Sequence, residues 1–414
     1  MSISHQIYNI NGYNIILIKN DIDNISVKSC IDTGYIHEDK DNLGINHLIE
    51  HVLVNGNSQC ENDCISEMNK KGILMNASTG LNMINYFTMG ISSDLEKMIK
   101  FIVETTINYK NINNIVIEKE KKAVLNELLT SSNNSLINVY HTLFNKLFSY
   151  YGLTNFFNYK QQIDNLKHLN EEKLKRFYQK HYKNILFIVS GNFDDDIVLN
   201  LFENLLKNSK IDNFSVESTV NHCFKLKKGA YFLQNNNIKN TTIMIGFPSI
   251  IDNSIYNSIL LDITCKYIRN ICMDVLRAKE NLIYGIEVIP SINYCGTTIQ
   301  VNLNVSNENA KKTLERFVKL IKDNYHKIDN KFIEGIKKNF IYSENKNNDE
   351  EKSIFYENMY INKIFNRCKD KICDLHEYSN MYLNVKDSDI KKILPVLFNF
   401  DKMVLVYTSQ KSMA

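Results

Sequence analysis

An α+β protein made of two copies of one domain is what three observations in this sequence predict. The chain has 414 residues, more than one ordinary core accommodates, so length alone asks for two domains or more. Short strand-like runs alternate with long helix-like stretches in both halves. A pattern also recurs half a chain apart: Ile117-Glu118-Lys119-Glu120-Lys121-Lys122 aligns with Ile333-Glu334-Gly335-Ile336-Lys337-Lys338, a shift of 216 residues. Ser92–Ile102 resembles Glu308–Val318 at the same shift. A repeat this long marks a duplicated domain and not a solenoid.

Each element follows in order. Tyr8–Ile18 carries the turn dipeptide Asn11-Gly12 and then a β-branched run, and Ser26–Ile31 continues it, which predicts strands around a turn. Gly44 and Gly56 bracket a helix, and residues 62–71 suggest a second, short one. Gly72 to Ile91 reads as a strand pair that includes Ile84–Met89. Helical patterns follow at 93–109 and 113–132, and more continue to about 182. Ile185–Phe193 reads as a buried strand ending in a turn. The polar stretch 207–222 is the expected boundary, giving domains 1–212 and 213–414. The repeat register sets His47 against Ile263 and Glu127 against Ser343, so only the first copy is expected to keep metal chemistry.

Composition narrows the function. A 44% hydrophobic, 23% charged chain reads as globular, and a net charge of +3 gives no reason to expect nucleic acid or an anionic membrane as main partner. No apolar run approaches the ~18 residues of a membrane span. The opening Met1–Gln6 has no secretory pattern, so a cytoplasm-like compartment is expected. Nine cysteines, an odd and scattered set, fit reduced thiols better than a disulfide framework. Cys60 and Cys64, spaced C-x-x-x-C, read as two ordinary thiols in preference to a second metal site. Zero Trp and three Pro beside abundant Asn, Ile and Lys look like genomic composition bias.

The chemistry concentrates in His47-Leu48-Ile49-Glu50-His51. Positions i and i+4 of a helix share a face, so His47 and His51 can grip one metal ion together. Glu50, three residues after His47, lies close enough to act on a water at that metal. The order H-x-x-E-H is that of the inverzincins. A catalytic zinc site needs a third protein ligand and one open position. The helix at 113–132 offers two candidates on one face, Glu120 and Glu127, seven residues apart. The remaining histidines (His5, His37, His141, His168, His181, His222, His326 and His376) show no ligand spacing and read as structural or exposed.

Over nearly all its length the chain resembles the pitrilysin-like metallopeptidases, the family of insulin-degrading enzyme and the mitochondrial processing peptidase. Asn11-Gly12 resembles the family's opening turn, Gly34-Tyr35-Ile36-His37-Glu38 the segment before its metal helix, and Gly44–His51 its zinc motif. Glu127 falls where the family's third ligand is found, and Glu120 where a second acid stands on that helix. Asn76-Ala77-Ser78-Thr79 resembles the start of the active-site edge strand, and Leu276–Tyr284 the Arg/Tyr substrate-binding segment. Departures fall at Asn46, Ile49, Val52-Leu53-Val54 and Asn281; none is a ligand position.

The resemblance implies two mixed β-sheets covered by helices, facing each other around a cavity, and a zinc endopeptidase that admits unfolded or short peptides. One Zn²⁺ per chain would be held by His47, His51 and Glu127, with Glu50 as general base. Glu120 would orient a metal histidine or be a plain surface carboxylate. Asn76 and Ala77 would bind substrate by β-augmentation, unless this is an ordinary strand end. Arg277 and Tyr284 would clamp the substrate carbonyl; without the resemblance they read as a salt-bridging Arg and a core Tyr. Family members of this length commonly pair, so a homodimer is expected and a heterodimer is compatible. The rival reading is a catalytically silent scaffold or assembly subunit of the same fold. A processing and a degradative role fit the sequence equally.

Overall fold

The computed structural model describes residues 3–148, 157–209, 211, 226–249, 251–293, 296–346 and 348–412. Of the stretch expected to hold the boundary, only 207–209 and 211 lie among them. The chain divides into two compact units: Met1–Thr130, Asn158–Glu217 and Asn347–Arg367 form the first, and Ser131–Phe157, Ser218–Lys346 and Cys368–Ala414 the second. Each unit takes a segment from the other half of the chain.

The first unit opens with β1 (Ser4–Ile10) and β2 (Tyr13–Lys19), joined at Asn11 and Gly12. Both turn residues have positive φ, 52° and 90°, which is the backbone of a type I′ hairpin turn and the reason Asn-Gly suits it. Then come β3 (Asn24–Ile31), helix α1 (Ile45–Asn55), α2 (Cys64–Lys70), β4 (Leu74–Thr79) and β5 (Ile84–Ile91). Next along the chain are α3 (Leu95–Ile107), α4 (Asn114–Ser132) and α5 (Ser135–Leu147), the last assigned to the second unit. The first unit resumes with α6 (Tyr159–Leu166), α7 (Glu171–His181), β6 (Ile185–Gly191) and α8 (Asp195–Leu206). Its sheet runs β1-β2-β6-β3-β5-β4. All seven residues of β6 are buried, as a near-continuous apolar run in a central strand must be.

The second unit contains β7 (Gly229–Gln234), β8 (Asn240–Ser249), α9 (Ile255–Cys272), β9 (Gly285–Asn293) and β10 (Gly296–Ser306). Helices α10 (Ala310–Asp323) and α11 (Asn330–Lys346) follow, and then α12 (Asp349–Ile364), which is assigned to the first unit. Helices α13 (Leu375–Asn384) and α14 (Asp387–Leu397) and strand β11 (Val404–Ser409) complete it. Its sheet order, β7-β11-β8-β10-β9, reproduces that of β2-β6-β3-β5-β4. The pairing senses agree as well: β2 with β6 and β7 with β11 are parallel, and the other pairs are antiparallel. The duplication read from the sequence is thus a duplication of topology. The exchanged helices α5 and α12 occupy equivalent places in the two copies.

The helix α1 shows how the frame presents the motif. Ile45, Leu48, Ile49, Val52 and Leu53 are fully buried, spaced so that one stripe faces the core. His47 and His51 fall off that stripe and stay partly exposed.

Candidate metal centre and active site

The start of α1 is fixed from outside the helix. Gly44 precedes it at φ 94°, and no neighbouring side chain caps it. The buried Glu38 carboxylate does so instead, accepting from the backbone N–H of Gly44 (2.7 Å) and Asn46 (2.9 Å) and from the Asn46 amide (3.0 Å). This satisfies two of the amides that a helix start leaves without partners. The Asn46 amide also donates to the Gly34 carbonyl at 2.9 Å. Gly34 is pressed so close to the β4–β5 turn that a Cβ there would meet the Gly80 carbonyl oxygen at 2.5 Å. The segment before the motif is therefore bolted both to the metal helix and to the hairpin carrying β4. Sequence reading quoted Glu38 but gave it no role; an acid six residues before a helix-starting glycine was the available signal.

With α1 placed, its two imidazoles meet α4. The Nε2 atoms of His47 and His51 lie 3.2 and 3.6 Å from Oε2 of Glu127, and the two rings stand 4.9 Å apart. Ligand atoms around a tetrahedral zinc ion sit about 3.4 Å from one another, given metal–ligand distances of 2.0–2.2 Å. Both histidine–Glu127 distances match that spacing, and the N, N, O donor set is one zinc takes. Among the described residues it is the one cluster whose side chains all converge within 4.8 Å. Glu120, buried on α4, places Oε2 3.3 Å from the other nitrogen of His51, Nδ1, where a carboxylate fixes the tautomer of a ligating histidine.

Electrostatics favour a cation here. Burial opposes charge on His51, but the Glu120 and Glu127 carboxylates override it and raise its pKa to about 10. Hydrogen bonds from His47 and His51 hold the Glu127 carboxyl well below the usual carboxylate range. Glu50 is 8% exposed, and burial raises its pKa, partly offset by the Thr79 hydroxyl that donates to it.

A cleft of about 320 Å³ joins His47, Glu50, His51 and Glu127 to Asn76, Ala77 and Thr79. The last three belong to β4, which ends the sheet with one edge unpaired. Arg277 and Tyr284 belong to the second unit. Tyr284 is 61% exposed, so it is no core tyrosine, and Arg277 is exposed without an ion pair among the described residues. Cys60 and Cys64 are joined as a disulfide, Cα atoms 5.3 Å apart; this corrects the two-thiol expectation, because Cys64 at the start of α2 is brought back against the preceding loop.

Two family models cover most of the sequence. Residues 15–152 match the description "Insulinase (Peptidase family M16)", and residues 168–340 match "Peptidase M16 inactive domain". The chain belongs to the M16 peptidase family. A relative from Rickettsia felis, named an uncharacterized zinc protease, is 24% identical over 58% of this chain and 58% of its own length. The beta subunit of the mitochondrial-processing peptidase of Bos taurus is 24% identical over 41% of this chain and 35% of its own. The matched stretch thus spans from about a third to somewhat over half of these relatives. In fold, a protease from Helicobacter pylori superimposes with a TM-score of 0.82 at 16% identity, covering 99% of this chain and 100% of that one. No described helix is long and apolar enough to cross a membrane.

Proposed function

We propose that this M16 chain is a zinc-dependent endopeptidase of the inverzincin type, cleaving extended peptides laid along β4. The carrying observation is the convergence of His47, His51 and Glu127 on one point, with the buried Glu50 carboxyl in the same cleft. Zinc held by that trio would supply Lewis acidity toward a scissile carbonyl and a nucleophilic water. Glu120 holds His51 in the tautomer that leaves Nε2 free. Glu50, its proton affinity raised by burial, takes the proton of the attacking water and hands it to the leaving amine. The unpaired edge of β4 offers its backbone groups at Asn76–Thr79 to an extended chain. Arg277 and Tyr284 of the second unit are proposed as substrate-binding donors; their exposed side chains support this. A silent scaffold subunit of the same fold would have no use for an intact set of three ligands and a base.

The test is mass-spectrometric profiling of a mixed peptide library with the wild-type chain and with Glu50→Gln. Chelator-sensitive cuts that vanish in the variant are expected. A zinc-loaded wild-type chain that cuts nothing, or a variant that cuts as well as wild type, overturns the reading.

A further inference from the structure

A cavity of about 420 Å³ in the first unit lies on the sheet face opposite the metal helices, between the strands and α12. Phe87 and Met89 of β5 and Ile354 and Ile361 of α12 give it apolar walls, with Asn85 toward its β4 end. An ion pair between Lys28 and the buried Glu357 ties α12 across the sheet, and Asn20 donates to Ser353 at 2.9 Å beside it. These contacts fasten α12 to the sheet beside the cavity.

One residue borders both spaces: Ser78 of β4 lines this cavity and also the metal cleft. Side chains alternate along a strand. Met75 is in the core and Thr79 meets Glu50, so these, with Ala77, face the metal helices, whereas Leu74, Asn76 and Ser78 face the other way. The partners confirm the face, since Ser78 pairs with Asn85, Asn76 with Phe87 and Leu74 with Met89. Ser78 is short, and Leu74 on the same face is 61% exposed. A chain added to β4 would stand about 4.8 Å further out. Its side chains on this face would lie within ~5.5 Å of those of β4. Alanine there stops short; leucine, methionine or phenylalanine leans over Ser78 into the cavity.

We propose that this cross-sheet cavity is a specificity subsite that takes one long apolar side chain of the bound strand, at a position out of phase with the residues over the metal ligands. The inference rests on the peptidase reading and its strand addition at β4, and it adds the substrate class: extended segments with a bulky apolar residue at one alternate position.

Binding, separated from turnover, tests it. Labelled peptides of one polar sequence, with a single leucine or alanine moved through successive positions, are titrated against the full-length zinc-loaded Glu50→Gln chain. Leucine should tighten binding about tenfold at alternate positions, in line with what a hydrophobic pocket discriminates. Ile354→Trp, at a position 44% exposed and so tolerant of change, should fill the cavity and collapse the leucine-to-alanine ratio toward one. Phe87→Ala should shift the preference toward larger side chains. Leucine gains at consecutive positions, or a ratio untouched by both variants, overturns the subsite while leaving any Glu50-dependent cleavage standing. No binding by any peptide overturns strand addition and the subsite together.

Discussion

The cleft between α1 and α4 in the first unit and the one between α9 and α11 in the second are the same place in a duplicated frame, yet only one converges on a metal-binding set. The second cleft, about 290 Å³, is lined by Lys266, Arg269, Ile336, Asn339 and Ser343. At the 216-residue offset, Ile336 and Ser343 stand for Glu120 and Glu127. Ile263 and Tyr267 stand for His47 and His51, and both are fully buried. The Tyr267 hydroxyl donates to Asn324 at 2.6 Å. In one copy these helix positions complete a core; in the other they are left half-buried with their Nε2 atoms turned toward Glu127. The frame supplies a cleft, and a few side chains decide whether it is chemistry or packing.

The strongest way to break this contrast is to remove its active side. Glu50→Gln should cost about 10²–10⁴ in turnover while zinc content by mass spectrometry stays at one per chain. Glu127→Ala, by contrast, should lose the metal as well; retention of stoichiometric zinc would rule it out as a ligand. Building the set into the other copy is the converse. Ile263→His, Tyr267→His and Ser343→Glu together should add no second zinc and should lower stability by about 2–5 kcal/mol in urea unfolding, because buried apolar contacts are lost and polar groups left unpaired. A second equivalent of tightly bound zinc would show that the backbones of the two clefts are interchangeable.

A smaller effect is expected behind the ligands. Glu120→Gln should weaken zinc binding about 10–100-fold in a competition titration without loss of fold. An unchanged affinity would return Glu120 to a packing role.

The smallest contrast concerns the helix starts. Glu38 caps α1 from a distance, whereas Ser254, at the same offset, caps α9 locally by accepting from Asn257 N–H at 3.2 Å. Glu38→Ala leaves two amides of α1 without their acceptor and should cost about 1–3 kcal/mol, against about 1 for Ser254→Ala. Glu38 also carries a pH signature. Burial, against its hydrogen bonds, raises its pKa from 4.5 to about 7. The native chain therefore keeps a proton that the unfolded chain gives up. This contribution to stability is full below pH 4.5 and is lost as pH rises toward 7. In thermal melts, Glu38→Gln should flatten that part of the profile; an unchanged slope would mean the carboxyl ionises normally.

Much of this was legible in sequence because it is local. Asn11-Gly12 dictates its turn, the five-position apolar stripe of α1 dictates which way the histidines face, and the 216-residue echo announces a second copy. The duplication was visible because equivalent helices must bury equivalent stripes. What the sequence by itself could not decide depends on which surfaces meet. The spacing of Glu120 and Glu127 leaves either free to be the ligand; only packing α4 against α1 puts Glu127 on Nε2 of both histidines and Glu120 on the far nitrogen of one. Glu38 became a cap, and Thr79 a partner of Glu50, through contacts between segments that periodicity treats separately. The exchange of α5 and α12 between units escaped a linear reading for the same reason. Local pattern says that a helix must bury a face, and only the tertiary structure decides whose sheet it covers.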